Sequence, residues 1–136
     1  MHRSASVIFA FTALLVCPAI AQDQRIGKPP NVVFNQIIEG MPKADKQQVR
    51  VLVGTFNPGD RTVSHTHRFP VTVYVMQGAF TLKMQGRQTV TVKSGEAFVE
   101  PPNVKITGYN RSRTERMKAV VFYVSNPDTP FLNLTR

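Results

Sequence analysis

Residues 59–78 read GDRTVSHTHRFPVTVYVMQG. In the second half of this stretch Val71, Val73 and Val75 fall on one side of an extended chain and Thr72 and Tyr74 on the other. A period of two is the signature of a β-strand, and Gln77-Gly78 supplies the turn that ends it. In the first half His65 and His67 stand two apart, so on an extended backbone their imidazoles project from one face, about 7 Å apart along the strand. Two neutral imidazoles converging from one strand make half of a transition-metal site. The pair alone is weak evidence, and its weight depends on what surrounds it.

The same alternation recurs outward from this stretch. Val49, Val51 and Val53 share a face, as do Phe80, Leu82 and Met84, and later Val120, Phe122 and Val124. Turn chemistry interrupts at short intervals, at Asn57-Pro58-Gly59-Asp60, Gln85-Gly86, Ser94-Gly95, Pro101-Pro102-Asn103 and Asn126-Pro127-Asp128. About eight short strands follow from this spacing. No apolar pattern of period 3.6 is long enough for a substantial helix, so the chain reads as all-β, its strands closed into a barrel or two-sheet sandwich that hides their edges.

The start of the chain reads differently. Met1-His2-Arg3 is a short basic beginning, Ala5 to Cys17 an apolar run, and Ala19-Ile20-Ala21 a small-x-small cleavage signal. Residues 1–21 are therefore expected to be a signal peptide cleaved near Ala21, with residues 22–136 exported as one domain to the periplasm or medium. An N-terminal arm over 22–47 leads into a core over about 49–124. The apolar run is shorter than the ~20 residues a spanning helix needs, so no membrane span is expected. Cleavage removes Cys17, the one cysteine, and His2. Disulfides, thiolate metal sites and cysteine nucleophiles leave together, and His65 and His67 remain as the mature chain's only histidines.

Seventeen Lys and Arg face eight Asp and Glu, a formal charge of +9. Arg111, Arg113, Arg116 and Lys118 lie close together and read as a solubilising basic face. A nucleic-acid role would need an electrostatic stripe with aromatics or a reading element, and an exported protein seldom meets nucleic acid, so no nucleic-acid partner is expected. There is no Gly-x-Ser-x-Gly elbow and no phosphate-binding glycine loop.

The spacing around the histidines resembles the cupin superfamily, specifically the small single-domain cupins of the conserved-barrel type. Gly59, five residues, His65-Thr66-His67, three residues, Val71, six residues and Gly78 follow the spacing of the family's first motif, which carries Glu where this chain has Val71. Gly95, Pro101 and Asn110 fall on the second motif, with Asn103 where the family has Gly and Ile106 where it has His. The resemblance implies a double-stranded β-helix, or jelly-roll, barrel, and a homodimer formed through outer sheet faces.

In metal-binding cupins the two histidines and the glutamate of the first motif join the histidine of the second around one ion. Here two of those four ligands are absent, and a four-residue spacer puts Thr72, not a carboxylate, at the glutamate position. Glu100 and Gln77 are the candidate extra donors; the plainer reading, a solvated strand-end carboxylate and a turn residue, is preferred for them. For His65 and His67 a retained metal or ligand site and a pair of locally hydrogen-bonded remnants stay open alike. Val71, Val73 and Ile106 would line an apolar pocket for a small hydrophobic or aromatic molecule, or fill the barrel.

The expected function is an exported barrel that binds a small molecule, with a divalent transition-metal site at His65 and His67 that is degenerate, weak or absent. The alternative is a metal-dependent enzyme of the oxygenase or isomerase type, and after it a structural or interaction barrel. Two missing ligands leave open whether the chain is an enzyme at all.

Overall fold

The computed structural model describes residues 27–135. The chain divides into two units, at residues 1–30 and 31–136. Of the first, only Gly27–Pro30 is described, without regular structure, and the expected signal peptide lies outside the described residues. The second unit holds nine strands: β1 (Gln48–Phe56), β2 (His65–Thr66), β3 (Val71–Gln77), β4 (Ala79–Met84), β5 (Val90–Lys93), β6 (Ala97–Glu100), β7 (Ile106–Tyr109), β8 (Met117–Ser125) and β9 (Asn133–Leu134). Among the described residues there is no helix, hence none long and apolar enough to cross a membrane.

The strands pair antiparallel in two sheets, β1-β8-β3-β6 and β5-β4-β7-β2-β9. This is an all-β barrel of the kind the alternation and turn spacing predict, and the jelly roll that the motif resemblance implies. Both sheets turn one apolar face inward. Val71, Val73 and Val75 of β3 with Met117, Ala119 and Tyr123 of β8 meet Phe80, Leu82 and Met84 of β4, Val92 of β5 and Ile106 of β7. Burying such a valine or leucine contributes about 1.5–3 kcal/mol, which is what holds strands of four to nine residues together.

The shared faces were legible, but not which way each points. Val49, Val51 and Val53 lie outside, on the edge strand of the four-stranded sheet, at 67%, 59% and 60% exposure. Their register partners Val124, Phe122 and Val120 lie outside with them. The inner face of β1 is instead Arg50, Leu52, Gly54 and Phe56, a row too mixed to read as a core face.

Two turn positions explain how the motif residues work locally. Gly78, alone between β3 and β4, adopts φ +71°, and an added Cβ would stand 2.9 Å from the Arg116 carbonyl oxygen, so only glycine fits. Asn103 stands where the cupin motif has glycine and takes φ 59°, the left-handed conformation that asparagine tolerates better than most residues. Asn110, the remaining motif residue, is structural. Its buried amide donates to the carbonyls of Phe56, Asn57 and Glu115 at 3.1, 3.0 and 2.8 Å, lacing together the loops at one end of the barrel.

Candidate metal centre

His65 lies on β2 and His67 just beyond it, and both rings turn into the barrel, at 5% and 1% exposure. Their Nε2 atoms are 3.1 Å apart, with the rings edge to face at 4.7 Å. Each ring is fixed from behind by a backbone carbonyl: His65 Nδ1 donates to Val63 O at 2.7 Å, and His67 Nδ1 to Phe131 O at 2.5 Å. A carbonyl oxygen can only accept, so both Nδ1 atoms carry the proton and, in neutral rings, both Nε2 atoms present bare lone pairs.

Glu100 closes the cluster. Its Oε2 is 3.1 Å from His67 Nε2, and the residue is 4% exposed. This corrects the reading of Glu100 as a solvated strand-end carboxylate. The cause is its register: Glu100 ends β6 directly opposite Val71 of β3, and residues opposed across an antiparallel ladder share a face. Val71 is the position at which the cupin motif places its glutamate. The carboxylate missing from β3 is thus supplied from the neighbouring strand onto the same inner face.

The other predicted site residues divide. Val71 and Val73 line the cavity beside the histidines. Ile106 is buried opposite His65 in the β2–β7 pairing and belongs to the core, but it is not part of the cavity wall. Gln77 is exposed: the β3–β8 register shifts between Val75 and Gln77, so Gln77 does not continue the inward face of the valines and cannot reach the histidines.

Several residues of the site carry no signal in the sequence. Phe131, in the C-terminal segment, packs its ring on His67 and Tyr123 at centroid distances of 4.9 and 5.5 Å, while its carbonyl holds His67. The segment is tied down by β9 pairing with β2, by Thr135 N donating to Ser64 O at 3.1 Å, and by Arg50 donating to Thr129 O. Tyr123, buried on β8 opposite Val71, stacks against His67 at 5.9 Å. A tail after a Pro-rich turn has no periodicity that would announce such contacts.

The cluster opens on a cavity of about 230 Å³ between the two sheets. Its wall is mostly apolar, with Leu52, Phe56, Phe80, Ala119, Val121 and Leu132 among its members. The barrel is therefore open rather than filled. Gly108 keeps it so: a Cβ there would lie 2.1 Å from the Phe80 ring.

The donor set fits a metal ion. His65, His67 and Glu100 each offer one ligand atom, and these lie within 4.8 Å of one another. Donors about 2.0–2.2 Å from a shared ion stand roughly 2.8–3.6 Å apart between octahedral and tetrahedral arrangements, a range that takes in the two 3.1 Å separations about His67 Nε2. Both histidines donate their far nitrogen to a carbonyl, as metal-bound histidines do. Three acceptors facing one another at this distance repel unless a cation or protons stand between them.

A family model described as a cupin domain matches residues 52–123, more than half of the chain. No curated protein matches significantly. Among solved structures, the chain is similar to a cupin-like protein from Thermotoga maritima, at 22% identity and TM-score 0.55, over 64% of each chain. It is similar to the DMSP lyase DddQ from Ruegeria pomeroyi at 17% identity and TM-score 0.56, over 64% of this chain and 43% of that one. A Klebsiella pneumoniae protein with a double-stranded β-helix domain matches at 19% identity and TM-score 0.56, over 74% of this chain and 90% of that one. At these identities the likeness establishes the fold, and the chain spans less than half the length of the lyase. Family model, motif spacing and two-sheet barrel agree: the chain belongs to the cupin-domain family, with both first-motif histidines in the family's places and its carboxylate on the adjoining strand.

Proposed function

We propose that the protein is a metal-dependent cupin enzyme in which His65, His67 and Glu100 hold one divalent first-row transition ion at the wall of a small-molecule cavity. The observation that carries this reading is the grouping of two carbonyl-fixed imidazoles and a buried carboxylate with their ligand atoms within 4.8 Å of one another. Two histidines and one carboxylate are the donor set of non-haem iron sites and of several catalytic zinc sites, and they leave coordination positions free for substrate. The third donor favours this reading over a binding barrel with a degenerate two-histidine site.

A divalent ion held there would polarise an oxygen of the bound molecule. The chain's own residues do the rest. Val63 and Phe131 carbonyls fix the imidazole orientations, and the mostly apolar wall offers the reacting group few competing hydrogen bonds. The comparison with a lyase of the same fold is consistent with such chemistry and does not choose the reaction. Export belongs to the proposal as well, supported by the sequence of residues 1–21.

Thermal unfolding tests the reading. The protein is stripped with chelator and then given Zn²⁺, Mn²⁺, Fe²⁺ or Ni²⁺ in turn. An ion at about 100 times its Kd adds about 2.7 kcal/mol to the folded state, so at least one ion should raise Tm by several degrees. His67→Ala should abolish that rise. No stabilisation by any ion, or an equal rise in the variant, contradicts the proposal.

A further inference from the structure

We infer that the cavity takes a small organic monoanion of about eight to ten non-hydrogen atoms in all, an apolar body ending in one anionic oxygen group that meets the His65-His67-Glu100 cluster. The inference rests on the metal reading above and adds to it the charge and size of the ligand.

The argument begins with what the wall contains. Its polar side chains are Thr62, His65, His67 and Glu100, and no lysine, arginine or amide stands among the described lining residues. Thr62 is already engaged, accepting from Gly108 N at 2.9 Å. The ionisable side chains facing the cavity are therefore those of the cluster itself. With neutral imidazoles and one carboxylate, a divalent ion leaves a net charge of +1 in a mostly apolar, partly open cavity.

An uncompensated charge in such surroundings is strongly unfavourable. One negative charge on the ligand cancels it. A neutral ligand leaves +1, and a dianion leaves −1 with no second cation to receive it. The cation nearest by topology is Arg50, which faces inward on β1 but stands outside the wall. Its guanidinium lies 5.4 Å from the Tyr123 ring centroid and is held by Ser125 Oγ at 3.1 Å and by Thr129 O. Those bonds anchor the C-terminal segment, while the buried Arg50 Nε has no hydrogen-bond partner among the described residues.

Size follows from volume. A cavity of about 230 Å³ holds about eight waters at roughly 30 Å³ each, the bulk of a six-carbon acid or a small aromatic acid. Valine, leucine and phenylalanine side chains from both sheets offer that body apolar contact and no hydrogen bonds.

The test uses three probes of similar size at pH 7: hexanoate, 1-hexanol and glutarate, a monoanion, a neutral molecule and a dianion. Each is titrated calorimetrically into the full-length protein, metal-loaded and metal-stripped, with metal content measured on the same samples. The inference expects hexanoate to bind the loaded protein at least tenfold more tightly than either other probe, and at least tenfold more tightly than hexanoate binds the stripped protein. If the loaded sample carries metal but hexanol or glutarate equals hexanoate, or hexanoate does not bind at millimolar concentration, the inference falls while the metal reading stands. If the protein takes up no metal, both fall.

Discussion

Glu100 shows how one carboxylate can serve a site from an unexpected place. Its sequence neighbours, Val99 and Pro101, say nothing about the histidines, and its role arises only when β6 lies beside β3 and sets it against Val71. His65 and His67 were readable because their spacing is local; Glu100 stood only as a candidate donor beside Gln77, because the antiparallel register that chooses between them is a long-range fact. Gln77 misled for the converse reason, since a register shift broke the alternation that placed it on the inner face. Gly108 gives a residue-scale prediction. Alanine there would drive its Cβ into the Phe80 ring, at 2.1 Å. Gly108→Ala should cost about 1–3 kcal/mol in urea unfolding, whereas an unchanged midpoint would show that Phe80 moves freely and that the cavity is not shaped by this contact.

Among the elements, the long strands were legible and the short ones were not. β1, β3, β4 and β8 announce themselves by alternation, but β2 and β9 are two residues each and have no period to read. β9 and the segment before it matter most for the site, because they bring the Phe131 carbonyl to His67 Nδ1 and pair with the strand that carries His65. Partners that orient a metal-bound histidine typically change affinity by 10–100-fold. Deleting residues 131–136 should therefore weaken Zn²⁺ binding by about that factor, while Phe131→Ala, which keeps the carbonyl, should change it by less than about threefold. Competition with a chromophoric chelator measures both, and equal losses in the two variants would assign the effect to the ring rather than to the hydrogen bond.

At the scale of the molecule, a closed barrel or two-sheet sandwich followed from period-two patterning and turn spacing, because an all-β chain of short strands has few ways to bury one face, and the motif resemblance narrowed it to a jelly roll. The outer face of the four-stranded sheet is the exception. Register sets Val49 beside Val124, Val51 beside Phe122 and Val53 beside Val120 there, on a sheet that ends in the edge strand β1. Exposed apolar edges invite pairing, and two copies of one antiparallel edge satisfy each other about a two-fold axis. The expected homodimer would form through this face. Sedimentation should then show a dimer that Phe122→Lys converts to monomer, and a wild-type monomer at high micromolar concentration would remove this face from the account.

The same scale carries the central claim, because the donors come from both sheets: His65 from the five-stranded sheet, with His67 just beyond its strand, and Glu100 from the four-stranded one. Moving the carboxylate back across the ladder tests it most directly. Metal content is measured by elemental analysis of wild-type protein, Glu100→Val, and the exchange Val71→Glu/Glu100→Val, each loaded with the same ion, desalted and shown to be folded. The account predicts near-stoichiometric metal in the wild type, little in the single variant, and recovery in the exchange. Stoichiometric metal in Glu100→Val would contradict it.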